Sequence, residues 1–232
     1  MDSAPSGDLR PIGRRAFLGV VGGGLSSIAW GPPVWRVARD ALLPLAPVMP
    51  PPLADLVRNG WRIYTVTGIP HVDRAVYRLR VGGLVDRPME LRLRELQRLP
   101  VTHVTRDFHC VTGWSVPHVR WTGVRVTDLL AAVRPQPAAQ ALAFYSADGA
   151  YSDTLTLEQA KPADVLLAWA MDGKPLTSAH GAPLRLVVPQ MYGYKGVKWV
   201  NEIRLLEAPI DGFWEQRGYD RDAWVGRSNG HD

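Results

Sequence analysis

Asp107-Phe108-His109-Cys110-Val111-Thr112-Gly113-Trp114-Ser115 is the stretch on which the reading of this chain turns, and Trp121-Thr122-Gly123-Val124 follows shortly after it. It holds the single cysteine of 232 residues. One cysteine makes no internal disulfide, and a lone surface thiol is an oxidation liability. The remaining options are a buried apolar thiol, a nucleophile, or a thiolate ligand to a soft metal. The run reads as a strand that carries Val104 and Phe108 inward and ends where the thiol faces a cavity. Trp114 and Trp121 are placed to wall that cavity and exclude water.

Outward from this run the sequence reads as one α+β domain of mixed β-sheets with short helices. Tyr77, Leu79 and Val81 alternate with Arg78 and Arg80, the pattern of a half-buried strand. Gly82-Gly83 and Asp86-Arg87-Pro88 break it, and Leu91-Arg92-Leu93 begins a second extended piece. Thr127 is predicted to cap a short helix from Asp128 to Val133, with the Asp128 charge favourable at its start. Ala141 to Ser146 and Asp164 to Met171 read as buried strands, the second running into an Asp172-Gly173 turn. Leu184 to Val188 and Lys198 to Leu206 complete the strands. Strands outnumber helices without regular alternation, which argues against a doubly wound nucleotide-binding fold.

The start of the chain points to export. Gly13-Arg14-Arg15-Ala16-Phe17-Leu18-Gly19 looks like a twin-arginine signal, followed by a weakly apolar run from Val20 to Trp30. No clean small-x-small cleavage site follows, so a cleaved leader and a retained anchor both stay open. The expected organisation is a signal or anchor over 1–30, a proline-rich linker over 31–58 with Pro50-Pro51-Pro52, a globular domain over 59–208, and a tail over 209–232 at the rim of the site. Composition is ordinary globular usage, 46% hydrophobic and 21% charged. The net charge of +5 is spread without a run of five or more basic residues, so nucleic-acid binding is not supported.

Two further segments carry candidate chemistry. One is Met171-Asp172-Gly173-Lys174-Pro175-Leu176 with His180-Gly181-Ala182-Pro183-Leu184-Arg185-Leu186-Val187-Val188-Pro189. The other is Tyr192-Gly193-Tyr194-Lys195-Gly196-Val197-Lys198-Trp199-Val200. Arg185 stands between apolar residues, and a cation in a strand pattern needs a buried anion or a solvent-facing edge. A zinc site from His109, Cys110 and His118 is disfavoured, because adjacent strand residues point to opposite faces and no fourth ligand is evident.

Together, in this order, the three segments resemble the molybdopterin-binding domain of the sulfite oxidase family, and within it the exported, haem-free bacterial branch that includes protein-methionine-sulfoxide reductase catalytic subunits. The resemblance covers roughly Asn59 to Tyr219. It implies a molybdenum–molybdopterin cofactor with Cys110 as thiolate ligand to the metal, a role that suits a soft sulfur. It implies pterin and phosphate contacts from His180, Arg185, Gly196, Val197 and Lys198, a hydroxyl contact from Ser146, and an N-terminal contact from Asn59 and the segment Arg62, Ile63, Tyr64, Thr65. Phe213-Trp214-Glu215-Gln216-Arg217-Gly218-Tyr219-Asp220 resembles the stretch that carries an active-site tyrosine, which makes Tyr219 the second catalytic candidate.

The departures bear on substrate. His180 is the choice of the sulfite oxidases, where the methionine-sulfoxide branch has Asn. The Arg-Asn-His run of sulfite oxidases is replaced by Tyr64-Thr65-Val66-Thr67. The implied activity is oxygen-atom transfer on a small-molecule or protein-bound substrate by a monomeric catalytic subunit. No Cys-x-x-Cys-His haem motif is present, so electrons are expected to pass through a separate partner, a membrane haem protein among the candidates. The alternative is a molybdopterin-binding subunit without turnover, acting as a structural or electron-relay component.

Overall fold

A computed structural model describes residues 37–38, 41–50 and 60–227. The arginine pair, the apolar run after it and Asn59 lie outside the described residues. The chain divides into two compact units, Met1–Arg58 and Asn59–Asp232. In the first, the described residues include a 3-10 turn over Leu43–Val48.

The second unit is built on two sheets. The first joins β1 (Arg78–Gly83), β2 (Met89–Arg92), β5 (Ala141–Ser146), β6 (Ser152–Thr156) and β10 (Val200–Leu206) in the order β2-β1-β10-β5-β6. Only β1 and β10 run parallel in it. The second joins β3 (Val101–His109), β4 (Ser115–Arg125), β7 (Leu166–Met171) and β8 (Lys174–Pro175), and β9 (Arg185–Val187) also pairs with β7. Among the described residues of this unit three α-helices interleave: α1 (Leu93–Leu96), α2 (Val126–Val133) and α3 (Leu157–Ala160).

Side-chain alternation makes each sheet two-faced. Tyr77, Leu79, Val81, Leu142, Phe144, Ile203 and Leu205 join Leu129 and Val133 of α2 in the main core, together with Val124 and Leu167 from the second sheet. The opposite face of the second sheet buries Val119, Trp121, Leu166 and Ala168 against Trp61, Leu176 and Val187. The second sheet is thus covered on both sides, which explains why β7 reads as a continuous apolar run.

Several boundaries differ from the sequence reading for identifiable reasons. Helix α2 starts at Val126, with Arg125 in the cap position and Thr127 inside the first turn. The carbonyl of Val165 accepts the Val126 N–H at 3.1 Å, so a neighbouring segment supplies the acceptor expected of Thr127. Leu93 opens α1 instead of extending β2, because the Glu95 carboxylate reaches back and accepts the Arg92 N–H at 2.8 Å, satisfying the first amide of the turn. Trp199 takes a left-handed φ of 52°, so β10 begins at Val200 and not at Lys198. The Asp172-Gly173 turn forms as expected, with φ of 52° and 76° in a two-residue hairpin between β7 and β8.

Candidate active site

The ends of four strands meet around one cavity. Cys110 follows β3, Ser146 closes β5, Arg185 opens β9, and Lys198 lies just before β10. Val200 pairs with Ser146, and His109 pairs with Ser115, so the strand ends from each sheet are held by register and not by loops alone. The cavity has a volume of about 510 Å³.

Cys110 sits in a tight turn. Its N–H donates to the Trp114 carbonyl at 2.9 Å, and the Gly113 N–H donates back to the Cys110 carbonyl at 3.0 Å. The sulfur lies 3.2 Å from the Thr112 hydroxyl. A thiolate accepts that hydroxyl hydrogen, and the bond lowers the electron density a metal would draw from the sulfur.

Below the turn, aromatic rings form a dry wall. Phe108 and Trp61 stand 4.7 Å apart by centroid, Phe108 and Trp114 5.5 Å, and His180 lies edge-on to Trp61 at 4.9 Å. Trp114 lines the cavity, as the sequence reading expects. Trp121 does not. It is buried in the second core, and its ring carries the Arg185 guanidinium 5.1 Å above it. The correction has a simple cause: Trp121 pairs with Val104, four residues before Phe108 on β3, so Phe108 reaches the cavity and Trp121 lies deeper in the sheet.

The polar wall is cationic. Arg185 is 4% exposed, donates from a terminal nitrogen to the His180 carbonyl at 3.2 Å, and leaves its buried Nε with no hydrogen-bond partner. Burial pulls its pKa down to about 10, so it stays charged at neutral pH. Lys198 donates to the Tyr64 carbonyl at 2.6 Å. Burial first, and the Arg185 charge second, pull its pKa down to about 7. Among the described residues no carboxylate pairs with either cation.

Two converging cations and an orphaned guanidinium nitrogen are the signature of a site for an anionic ligand. Close backbone approach supports it. A Cβ on Gly193 would stand 2.2 Å from the Phe108 ring, so only glycine lets this loop close against the wall. A phosphate-bearing pterin with a soft metal fits these residues: cations for the phosphate, aromatic rings for the planar heterocycle, and a thiol for the metal. The other metal reading finds no support, since no group of three or more His, Cys, Asp or Glu capable of holding an ion occurs among the described residues.

Of the sequence-derived candidates, Arg62, Ile63, Tyr64 and Thr65 line the cavity from one side. Cys110, Ser146, His180, Arg185, Gly196, Lys198 and Tyr219 line the rest. Val197 does not: it is fully buried in the main core, and its carbonyl accepts the Leu186 N–H at 2.8 Å. Tyr219 stacks in an aromatic rim, 4.9 Å from Trp214 and 5.3 Å from Tyr194.

Sequence reasoning missed a buried charge cluster behind this wall. Lys195 donates to Asp153 and, at 2.8 Å, to Glu215, and all three are buried. Burial pushes the Asp153 carboxyl up to about 7 in spite of the Lys195 charge beside it; burial also pulls the Lys195 amine down, but the two carboxylates outweigh it and hold the amine above its ordinary value. The one available signal was Asp153 in an otherwise strand-like Ser-Asp-Thr-Leu-Thr run. Tyr151 was also missed. It stacks on Phe213 at 5.7 Å and donates to the Tyr194 carbonyl at 2.5 Å.

Comparison with known proteins places the chain. The family model described as oxidoreductase molybdopterin binding domain matches residues 66–214. An uncharacterised oxidoreductase of Bacillus subtilis is 36% identical over 66% of this chain and 77% of its own length. The sulfite oxidase of Arabidopsis thaliana is 31% identical over 65% of this chain and 47% of its own. A protein-methionine-sulfoxide reductase catalytic subunit of Xanthomonas axonopodis pv. citri is 34% identical over 59% of this chain and 47% of its own. The chain therefore spans about half the length of the last two. Among solved structures, the sulfane dehydrogenase SoxCD of Paracoccus pantotrophus superposes with a TM-score of 0.60 at 26% identity, covering 64% of this chain and 42% of that one.

Proposed function

The chain belongs to the family of oxidoreductase molybdopterin-binding domains, and on that premise we propose that it is an exported enzyme of two-electron, oxygen-atom-transfer chemistry on a sulfoxide, N-oxide or sulfite-like substrate. The bound molybdenum–pterin group supplies the redox couple and the oxygen exchange, while the protein binds, orients and dries the site. The observation that carries the reading is one cavity that joins a thiol, Cys110, to two cations, Arg185 and Lys198, that pair with no carboxylate among the described residues.

The roles follow from chemistry and position. Cys110 is the thiolate ligand, with the Thr112 hydroxyl on its sulfur. Arg185 and Lys198 neutralise the cofactor phosphate, and a planar guanidinium fixes its orientation by paired hydrogen bonds. Ser146, His180, Gly196 and the Arg62–Thr65 segment complete the cradle. Tyr219 presents a phenol able to donate to a substrate oxygen, in a ring cluster that excludes water. Electrons pass to or from a separate partner, for which a membrane haem protein is the candidate, with this chain as a monomeric catalytic subunit.

The test is metal and pterin analysis of purified protein, followed by turnover with sulfoxides, N-oxides and sulfite using artificial electron donors and acceptors. The proposal expects molybdenum, pterin and turnover with at least one class. Cofactor without any turnover would favour a binding or electron-relay subunit, and absence of both metal and pterin would overturn the reading.

A further inference from the structure

The aromatic rim of the cavity belongs to the last described segment, residues 211–227, which returns across the loop 190–196 after β10 ends. The contacts between the two are mostly main-chain. Tyr192 N–H donates to Ala223 at 2.8 Å, Val225 N–H to Gln190 at 3.0 Å, and the Tyr194 hydroxyl to Asp220 at 2.8 Å. Phe213 N–H donates to Ser152 of β6 at 2.9 Å. The fit at this point is close, since a Cβ on Gly212 would meet the Ser152 oxygen at 2.6 Å and Glu215 Oε2 at 2.7 Å. Peripheral backbone bonds of this kind open and close on their own.

One contact differs in kind. Lys195, 1% exposed, reaches Asp153 on β6 and Glu215 in the returning segment. Its neighbours in the chain, Gly193, Tyr194 and Gly196, line the cavity, and so do Phe213, Trp214, Arg217 and Tyr219 around Glu215. A buried charge that loses its partner is heavily penalised, so the ion cluster resists opening where the main-chain bonds do not.

We propose that Lys195 is a positioning residue whose ammonium, held by Asp153 and Glu215, fastens the 211–227 segment across the 190–196 loop as the closing wall of the cavity. It touches neither ligand nor reacting atoms; it acts by keeping Trp214 and Tyr219 in place. The consequence for function, retention of the pterin under a closed wall, rests on the function proposed above, whereas the fastening itself does not.

The experiment is hydrogen exchange on the full chain, comparing amides of the wall (Phe213, Tyr219, Val225) with amides of β5 and β10, in wild type, Lys195→Met and Glu215→Ala. Glu215→Ala leaves Asp153 and Lys195 as a neutral pair, so it tests the link without stranding a charge. The proposal expects wall amides to exchange at least about tenfold faster in Glu215→Ala with β5 and β10 unchanged, since a charge-assisted bond is lost. Lys195→Met is expected to open the wall further. Unchanged wall protection in Glu215→Ala would overturn the proposal, and so would an equal loss across wall and sheet, the mark of a merely structural charge cluster. Pterin content per chain, measured alongside, is expected to fall in both variants. Wild-type protein that never contains pterin defeats the function proposed above and leaves the exchange comparison standing.

Discussion

Lys198 Nζ donates a 2.6 Å hydrogen bond to the main-chain carbonyl of Tyr64, 134 residues earlier in the chain. The bond joins the N-terminal cradle segment to the loop that precedes β10, and it satisfies a cation with a neutral acceptor. The amine feels the charges of the Arg185 guanidinium and the Asp148 carboxylate, and the Trp199 ring lies 4.5 Å from it. An incoming phosphate would meet a lysine that gains charge as it binds.

Cofactor-free protein should therefore grow more stable as pH rises from about 7 toward about 10, relative to Lys198→Met. The unfolded lysine titrates near 10.4 and the folded one near 7, so across that window the unfolded chain holds the extra proton. The difference between the two stability curves should slope by at most about 1.4 kcal/mol per pH unit, the limit for one proton. Urea denaturation at several pH values measures it, and parallel curves would show that Lys198 is not perturbed.

Tyr219→Phe should keep the packing against Trp214 and Tyr194 while removing the hydroxyl. The expected result is a fall in kcat of about a hundredfold, the lower end of the usual scale for losing a donor to a developing charge, with the melting temperature nearly unchanged. Unaltered kinetics together with a destabilised Tyr219→Ala would make Tyr219 a packing residue.

Gly193→Ala should cost roughly 1–3 kcal/mol, because the added methyl overlaps the Phe108 ring and the ring is held by Trp61 and Trp114. The damage should extend to the cavity, and reduced pterin content is expected beside the lower denaturation midpoint. A variant as stable as wild type would mean that the loop has room the geometry does not show.

On the proposed twin-arginine route, replacing Arg14 and Arg15 by lysine should leave folded protein in the cytoplasm, because a receptor of that route reads the arginine pair and not charge alone. Cell fractionation reports the outcome directly. Normal export of the double variant would assign a different route.

The strand core was legible in the sequence because alternation at Tyr77, Leu79 and Val81 and the uniform apolar runs of β5 and β7 follow directly from which faces are buried. The boundaries that failed were those set by partners far away in sequence. Val165 capping α2 and the turn at Trp199 depend on tertiary neighbours that no local window contains. At the site, Cys110, Arg185 and Lys198 stood out as chemistry-bearing residues in motifs. Trp121 and Val197 lie away from the cavity because pairing with Val104 deep in the sheet and burial in the main core decide where their side chains go. The Asp153–Lys195–Glu215 cluster was hidden for a related reason. Its three members lie on three separate segments, and each alone reads as an ordinary charged residue.

The most direct test of the central claim is X-ray absorption at the molybdenum edge, comparing wild type with Cys110→Ser. Cys110 is claimed as the protein thiolate on the metal, with Arg185 and Lys198 holding the pterin independently of it. The prediction is that wild type shows one more sulfur neighbour than the variant, while the variant retains its pterin and loses turnover. The same sulfur count in both proteins would contradict the claim.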